Sequence, residues 1–293
     1  MAKVARPPHP TLFPSLPVQM APSGMVRQVT TPVWTEQKAQ LIARYLRYFV
    51  FITKHGAYID GFAAPKAPDL PNSWAAELVL NSTPKRLREF FLCELKQSRI
   101  APLLALQAGQ PAEPKRHVEV LQGDFNHVIH SILASGIITD KKATFCLIDQ
   151  FTCQCHWATL AALAGHKRTG EKKIEIFYFL ATGWLNRALR AFSQNPEIPQ
   201  RWWGRPDWQK LCGLSGHEQA MLFRDRFIHD LGYRYVTPWP ISKRNAGKGR
   251  IMFHMIHASD HPEAPLLMDR AYHNVTNKPE TEEQLEMELG RRS

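Results

Sequence analysis

Four acidic residues, Asp60, Glu94, Asp124 and Asp149, each close an apolar segment of this 293-residue chain. They lie roughly 25–35 residues apart, the room that a βαβ crossover takes. Carboxylates at successive strand ends can accept hydrogen bonds from the hydroxyl and amino groups of a nucleoside. In open parallel sheets ligands settle beyond those carboxyl ends. An acid in that position also serves as the N-cap of the following helix. For a single residue capping is the better reading, but four acids in register favour a ligand. A second chemical cluster, Cys153-Gln154-Cys155-His156, follows Asp149 directly. Thiolates with imidazole suit zinc, yet a lone C-x-C-H has no second cluster at an established spacing, so no metal ligand is assigned.

The elements that must position these acids follow from the residues around them. Ala57–Ala63, Phe90–Glu94 and Ala143–Asp149 are short and nearly all apolar, as strands buried on both faces are. His117–Asp124 alternates, with Val118, Val120 and Gln122 on one side, and is expected to be less buried. Thr35 is placed to cap a helix whose apolar face is Leu41, Ile42, Tyr45, Leu46 and Phe49. Lys38 falls in its first turn, where the helix dipole disfavours a cation. The expected organisation is a Pro-rich N-terminal segment over 1–33 and a Rossmann-like core over 34–182. A helical subdomain over 183–275 returns to a late strand at Arg250–His257, and an acidic tail covers 276–293. His254 and His257 fall on opposite faces of that strand, so they are not assigned as a metal pair.

A net charge of +11 points to a polyanionic partner, with nucleic acid the expectation. The basic residues assigned to it are Lys38, Lys66, Lys243, Arg244, Lys248 and Arg250. Aromatics lie among basic residues at Arg201-Trp202-Trp203-Gly204-Arg205-Pro206-Asp207-Trp208, a composition suited either to stacking on bases or, slightly better, to a helix packed on the core. Apolar runs such as Ile174–Leu180 are far shorter than the ~20 residues a bilayer requires. The start of the chain shows prolines where a secretory leader has an apolar stretch, so a cytoplasmic location is expected. Five cysteines make no secreted-type framework.

The ordered elements Thr35…Lys38, Tyr58-Ile59-Asp60-Gly61-Phe62-Ala63, Phe91-Leu92-Cys93-Glu94, Gly123-Asp124-Phe125 and Leu147-Ile148-Asp149-Gln150-Phe151 resemble the three-Cys-motif partner proteins. The likeness runs over about residues 34 to 273. That family is named for a neighbouring partner protein with a three-cysteine, radical-SAM-like motif, and its fold resembles that of S-adenosylmethionine-dependent methyltransferases. The resemblance implies an α/β, Rossmann-like (methyltransferase-like), doubly wound and mostly parallel sheet with a helical C-terminal insertion. It implies S-adenosylmethionine as cofactor, held by Asp60, Gly61, Phe62, Ala63, Glu94, Asp124 and Phe125. Asp149 and Phe151 would face the substrate as the catalytic pair. Where the family has a Gly-Pro-Gly-like stretch, this chain has Ala64-Pro65-Lys66-Ala67-Pro68, which removes backbone freedom near the ligand. Three functions follow: a methyltransferase acting on nucleic acid, a non-catalytic Rossmann-like subunit binding nucleic acid or a partner, and a metal-dependent hydrolase or nuclease built on Asp60 and Asp149.

Overall fold

In the computed structural model the described residues are 18–20, 26–28, 33–66, 72–111, 115–242 and 251–276. The apolar runs become one seven-stranded sheet: β1 (Gly56–Asp60), β2 (Leu87–Glu94), β3 (His117–Gln122), β4 (Thr144–Ile148), β5 (Glu175–Leu180), β6 (Tyr235–Ser242) and β7 (Ile251–Ser259). Their spatial order is β3-β2-β1-β4-β5-β7-β6. All neighbours are parallel except β7, which runs antiparallel to both β5 and β6. The chain therefore winds outward from β1 to β3, crosses back beside β1 at β4, and winds the other way. This is an α/β, Rossmann-like and methyltransferase-like doubly wound sheet, and its topological switch point lies between β1 and β4. A separate short hairpin pairs Val18–Met20 with Val26–Gln28.

Alternation along the strands divides the interior into two layers. Tyr58, Phe90, Phe145, Phe177 and Phe253 face α1 (Val33–Thr53), α2 (Ala75–Asn81), α3 (Ile100–Ala108) and α9 (Ala264–Thr276). Ile59, Phe91, Cys146, Ile176 and Tyr178 face the other way. They pack on α4 (Phe125–Ala134), α5 (Trp157–Gly165), α6 (Leu185–Ala191), α7 (Glu197–Trp203) and α8 (Gly216–His229). The helical insertion α6–α8 thus shares the core of the sheet. As its alternating sequence suggests, β3 is an edge strand with half-buried residues.

Two local expectations shift. Helix α1 begins at Val33, so Thr35 lies inside its first turn and not before it; chain ends of helices commonly differ by a residue or two from sequence signals. The tryptophans of the 201–208 stretch belong to the core: Trp202, Trp203 and Trp208 are buried. Trp202 donates to the Tyr178 hydroxyl at 2.6 Å, and the Arg226 guanidinium stands 3.6 Å from the Trp157 ring and 4.2 Å from that of Trp203. Each such ring removes ~150–250 Å² from water, so these side chains are committed to stability and are not presented to bases.

Candidate functional site at the switch point

Asp60 ends β1 and Asp149 follows β4, which places both carboxylates at the switch point on adjacent strands. Lys38 reaches Asp149 from α1, with Nζ 2.5 Å from Oδ2. Lys66 reaches it from the loop after β1: Nζ lies 2.9 Å from Oδ1 and donates to the backbone carbonyl of Asp149 at 2.7 Å. Oδ1 itself is buried without a donor in hydrogen-bond geometry. Two nucleic-acid residues expected from sequence, Lys38 and Lys66, are therefore placed against the expected catalytic acid. The unfavourable position of Lys38 on its helix is accounted for by this pair. Lys66 also stands 4.7 Å from the Phe151 ring centre, and Phe179 lies 5.5 Å from it. Lys243, Arg244, Lys248 and Arg250 lie outside the described residues.

Burial sets the proton affinities here. It pushes Asp60 up to about 7, with Asp149 adding to the rise, while the Phe62 amide at 3.1 Å, the Tyr58 hydroxyl at 2.9 Å and Lys66 pull it back. Burial likewise brings Lys66 down to about 8 against the attraction of Asp149, and Lys38 adds to the fall. For Asp149 burial acts upward, but the two lysines outweigh it and hold the carboxyl below its ordinary value. The result is one firm anion, Asp149, between the cations Lys38 and Lys66, beside Asp60, with burial driving Lys66 down and Asp60 up toward neutrality.

The turn after β1 is fixed on both sides. Gly61 donates to the Leu147 carbonyl at 3.0 Å and Ala63 to that of Cys93 at 2.8 Å. Trp74 Nε1 holds the Ala63 carbonyl at 2.6 Å and Arg99 holds that of Pro65 at 2.8 Å. The Phe125 ring lies on Gly61 so closely that a Cβ there would come within 2.7 Å of it, and it packs 6.0 Å from the half-buried Phe62 ring. Phe125 is thus a core side chain in this arrangement.

The remaining two acids are less committed. Glu94 Oε1 accepts from the Lys96 amide at 2.8 Å, whereas its Oε2 has only Arg99 at 3.6 Å. Asp124 caps α4: its Oδ1 accepts from the Asn126 amide at 2.9 Å and from Asn126 Nδ2 at 2.8 Å. No described residue donates to its Oδ2. Capping and ligand binding are compatible here, because each carboxylate keeps an acceptor oxygen. A nucleoside needs such acceptors at neighbouring strand ends, so Glu94 and Asp124 fit one, while the turn from Gly61 to Pro65 is occupied by the protein's own side chains.

Burial pushes Cys153 and Cys155 up, which keeps them protonated. Among the described residues no group of three His, Cys, Asp or Glu side chains could hold an ion.

Sequence reasoning missed two groups. One is Glu175 at the start of β5, which accepts from the Tyr45 hydroxyl, from Ser259 at 2.7 Å, and pairs with His257 at 2.9 Å. The other is a cleft at the carboxyl end of β5, bearing Arg187, Arg190, His217 and His254. Both are assembled from residues distant in sequence, and the Arg187–Arg190 spacing was the single local signal.

The fold and site define a doubly wound α/β protein with a charged switch point. No family model matches this chain, and no curated protein does. Among solved structures the chain is similar to a crystal structure of DszA carbon methyltransferase, at 11% identity and a TM-score of 0.37, over 70% of this chain and 47% of that one. It spans about half the length of that protein. A superposition this loose carries no argument about ligand or reaction; the fold class stands on strand order and register. Among the described residues no helix is long and apolar enough to cross a membrane.

Proposed function

We propose that the protein is an S-adenosylmethionine-dependent, methyltransferase-like protein that acts on or binds nucleic acid, with the nucleoside of the cofactor held at the ends of β2 and β3. The observation that carries this reading is that Glu94 and Asp124, at the ends of neighbouring strands, each keep a carboxylate oxygen that accepts no hydrogen bond from a described residue, with Arg99 standing 3.6 Å from that of Glu94. Bound there, S-adenosylmethionine would supply an electrophilic methyl group on a sulfonium. Glu94 accepts from ribose hydroxyls and Asp124 from the adenine amino group. Asp149, clamped between two lysines, orients the acceptor. Lys66, brought down to about 8 and so still an ammonium at neutral pH, holds Asp149 in place, and Phe151 lies against it. Lys38 is a positioning residue that fixes Asp149. The motif order resembling the three-Cys-motif partner proteins supports a three-cysteine, radical-SAM-like protein as partner.

Calorimetric titration with S-adenosylmethionine and its demethylated product tests the reading. Binding is expected, and Glu94→Gln is expected to weaken it at least tenfold. No heat up to millimolar ligand would sink it. A second reading, a non-catalytic Rossmann-like subunit, is favoured by the way Trp74, Arg99 and Phe125 fill the turn after β1. It predicts nucleic-acid binding that weakens steeply with salt and survives Asp149→Asn. The metal-dependent hydrolase reading loses support because two ammonium groups already surround Asp149.

A further inference from the structure

At the carboxyl end of β5 a cleft of about 830 Å³ opens between α6, the start of α8 and the start of β7. Among the described residues its ionisable lining is Arg187, Arg190, His217 and His254, with no carboxylate. Arg187 and Arg190 are exposed, lie one turn apart on α6, and form no ion pair among the described residues. Residues three apart on a helix share a face, with Cβ atoms about 5–6 Å apart, so both guanidinium groups serve one anion or two adjoining ones. Some exposed arginines find acids, as Arg168 does with Asp140 and Arg205 with Asp230, and others, Arg88, Arg201 and Arg234, do not among the described residues; Arg187 and Arg190 are set apart by sharing one concave wall.

The walls are built to hold still. Asn186 donates to the Leu214 carbonyl at 2.8 Å and accepts from the Gly213 amide at 3.0 Å and from Gln219 at 3.0 Å, tying the entry of α8 to α6. Gly216 opens α8 so close to Thr182 that a Cβ would come within 2.9 Å of its Cβ. This 14-residue helix starts in a capping box, with Ser215 Oγ accepting from the Glu218 amide at 3.3 Å and Glu218 accepting from the Ser215 amide at 2.7 Å, which fixes the wall that Ser215, Gly216 and His217 contribute. His254 is buried against the Thr182 hydroxyl at 2.8 Å, and burial together with His217 takes it down to about 4, so its ring is a neutral wall. Trp184, also in the lining, donates to Thr152 at 3.0 Å and so joins the cleft to the loop that carries Asp149 and Phe151.

We infer that this cleft seats the phosphodiester backbone of a single nucleic-acid strand, with Arg187 and Arg190 as its phosphate contacts. Guanidinium forks match phosphate oxygens two by two, and the Trp184–Thr152 hydrogen bond joins the cleft to the Asp149 loop. The inference rests on the nucleic-acid part of the proposed function and is independent of cofactor binding.

Fluorescence anisotropy with a labelled single strand of about 12 nucleotides, a length within the usual span of such sites, tests it. The double variant R187A/R190A is expected to bind at least tenfold more weakly than the full-length parent, and its log–log salt slope is expected to fall by about 1.4, the release from two single-strand phosphates. The charge-matched control K141A/K172A, two exposed lysines at the opposite edge, is expected to stay within about threefold of the parent, since charges beyond a Debye length are largely screened. Equal losses in the two double variants would overturn the inference, as would no binding by the parent. Binding of inorganic tripolyphosphate without binding of the strand would overturn it too, and would assign the cleft to small phosphates. Calorimetry with the demethylated cofactor, run on R187A/R190A, keeps failure of this inference distinct from failure of the methyltransferase reading.

Discussion

Two buried charged clusters sit at opposite edges of one sheet and are built on opposite terms. At the amino edge Glu175 receives Tyr45, His257 and Ser259, so both carboxylate oxygens are satisfied. Burial acts upward on Glu175, yet these partners outweigh it and hold the carboxyl below its ordinary value. At the carboxyl edge Asp149 is held by two lysines, but its Oδ1 lacks a well-aligned donor, Asp60 is driven up and Lys66 is driven down. Burial of an ion costs several kcal/mol. The amino edge offsets that cost with complete hydrogen bonding, whereas the carboxyl edge leaves part of it standing. Incomplete satisfaction at a topological switch point is where perturbed, reactive groups are expected. The two clusters thus differ in how fully each is bonded, and the proposed function rests on the less fully bonded one.

The largest effect should come from breaking the satisfied cluster. Glu175→Ala leaves a hydroxyl, an imidazole and a second hydroxyl buried without their acceptor, and is expected to cost about 3–5 kcal/mol in urea unfolding. A loss below ~1 kcal/mol would remove the contrast between the edges. Lys38→Met comes next. Asp149 keeps Lys66 and can take up a proton, so a loss of about 2 kcal/mol is expected by the same measurement, the scale of one hydrogen bond to a charged group. An equal loss from both variants would mean that the two clusters are equally structural.

The smallest effect is a change of pH dependence. A carboxyl whose folded value is raised to about 7 favours the folded state fully below its unfolded value of 3.8, and that contribution disappears as the pH rises to about 7. Lys66 runs the other way: lowered from 10.5 to about 8, its contribution is present above 10.5 and lost as the pH falls to about 8. Asp60→Asn should therefore flatten the decline in stability between pH 4 and 7, while the part above pH 8, set by Lys66, persists. Chemical denaturation across that range checks it. A decline that persists in Asp60→Asn would assign it to another group.

Much of the sheet was legible because buried parallel strands write themselves as short apolar runs, and the lesser burial of β3 showed in the alternation of Val118, Val120 and Gln122. Strand β6 was not legible, because Pro238 and Pro240 fall inside it. Proline removes ladder donors and reads as a break, yet β6 is an edge strand and pairs on one side only. The four acids were found at their strand ends, and their separate fates depend on partners that no spacing announces. Lys38 meets Asp149 across 111 residues, and Glu175 meets His257 across 82. His257 drew notice in the sequence only beside His254, and the structure sets the two on opposite faces of β7 with unrelated partners.

The most direct test is a crystal structure of the protein with the demethylated product of S-adenosylmethionine. Nucleoside density is predicted between Glu94 Oε2 and Asp124 Oδ2, with Asp149 still held by Lys38. Full ligand occupancy at the amino edge beside Glu175, or none at either edge at millimolar concentration, would contradict the assignment of the carboxyl edge as the functional one.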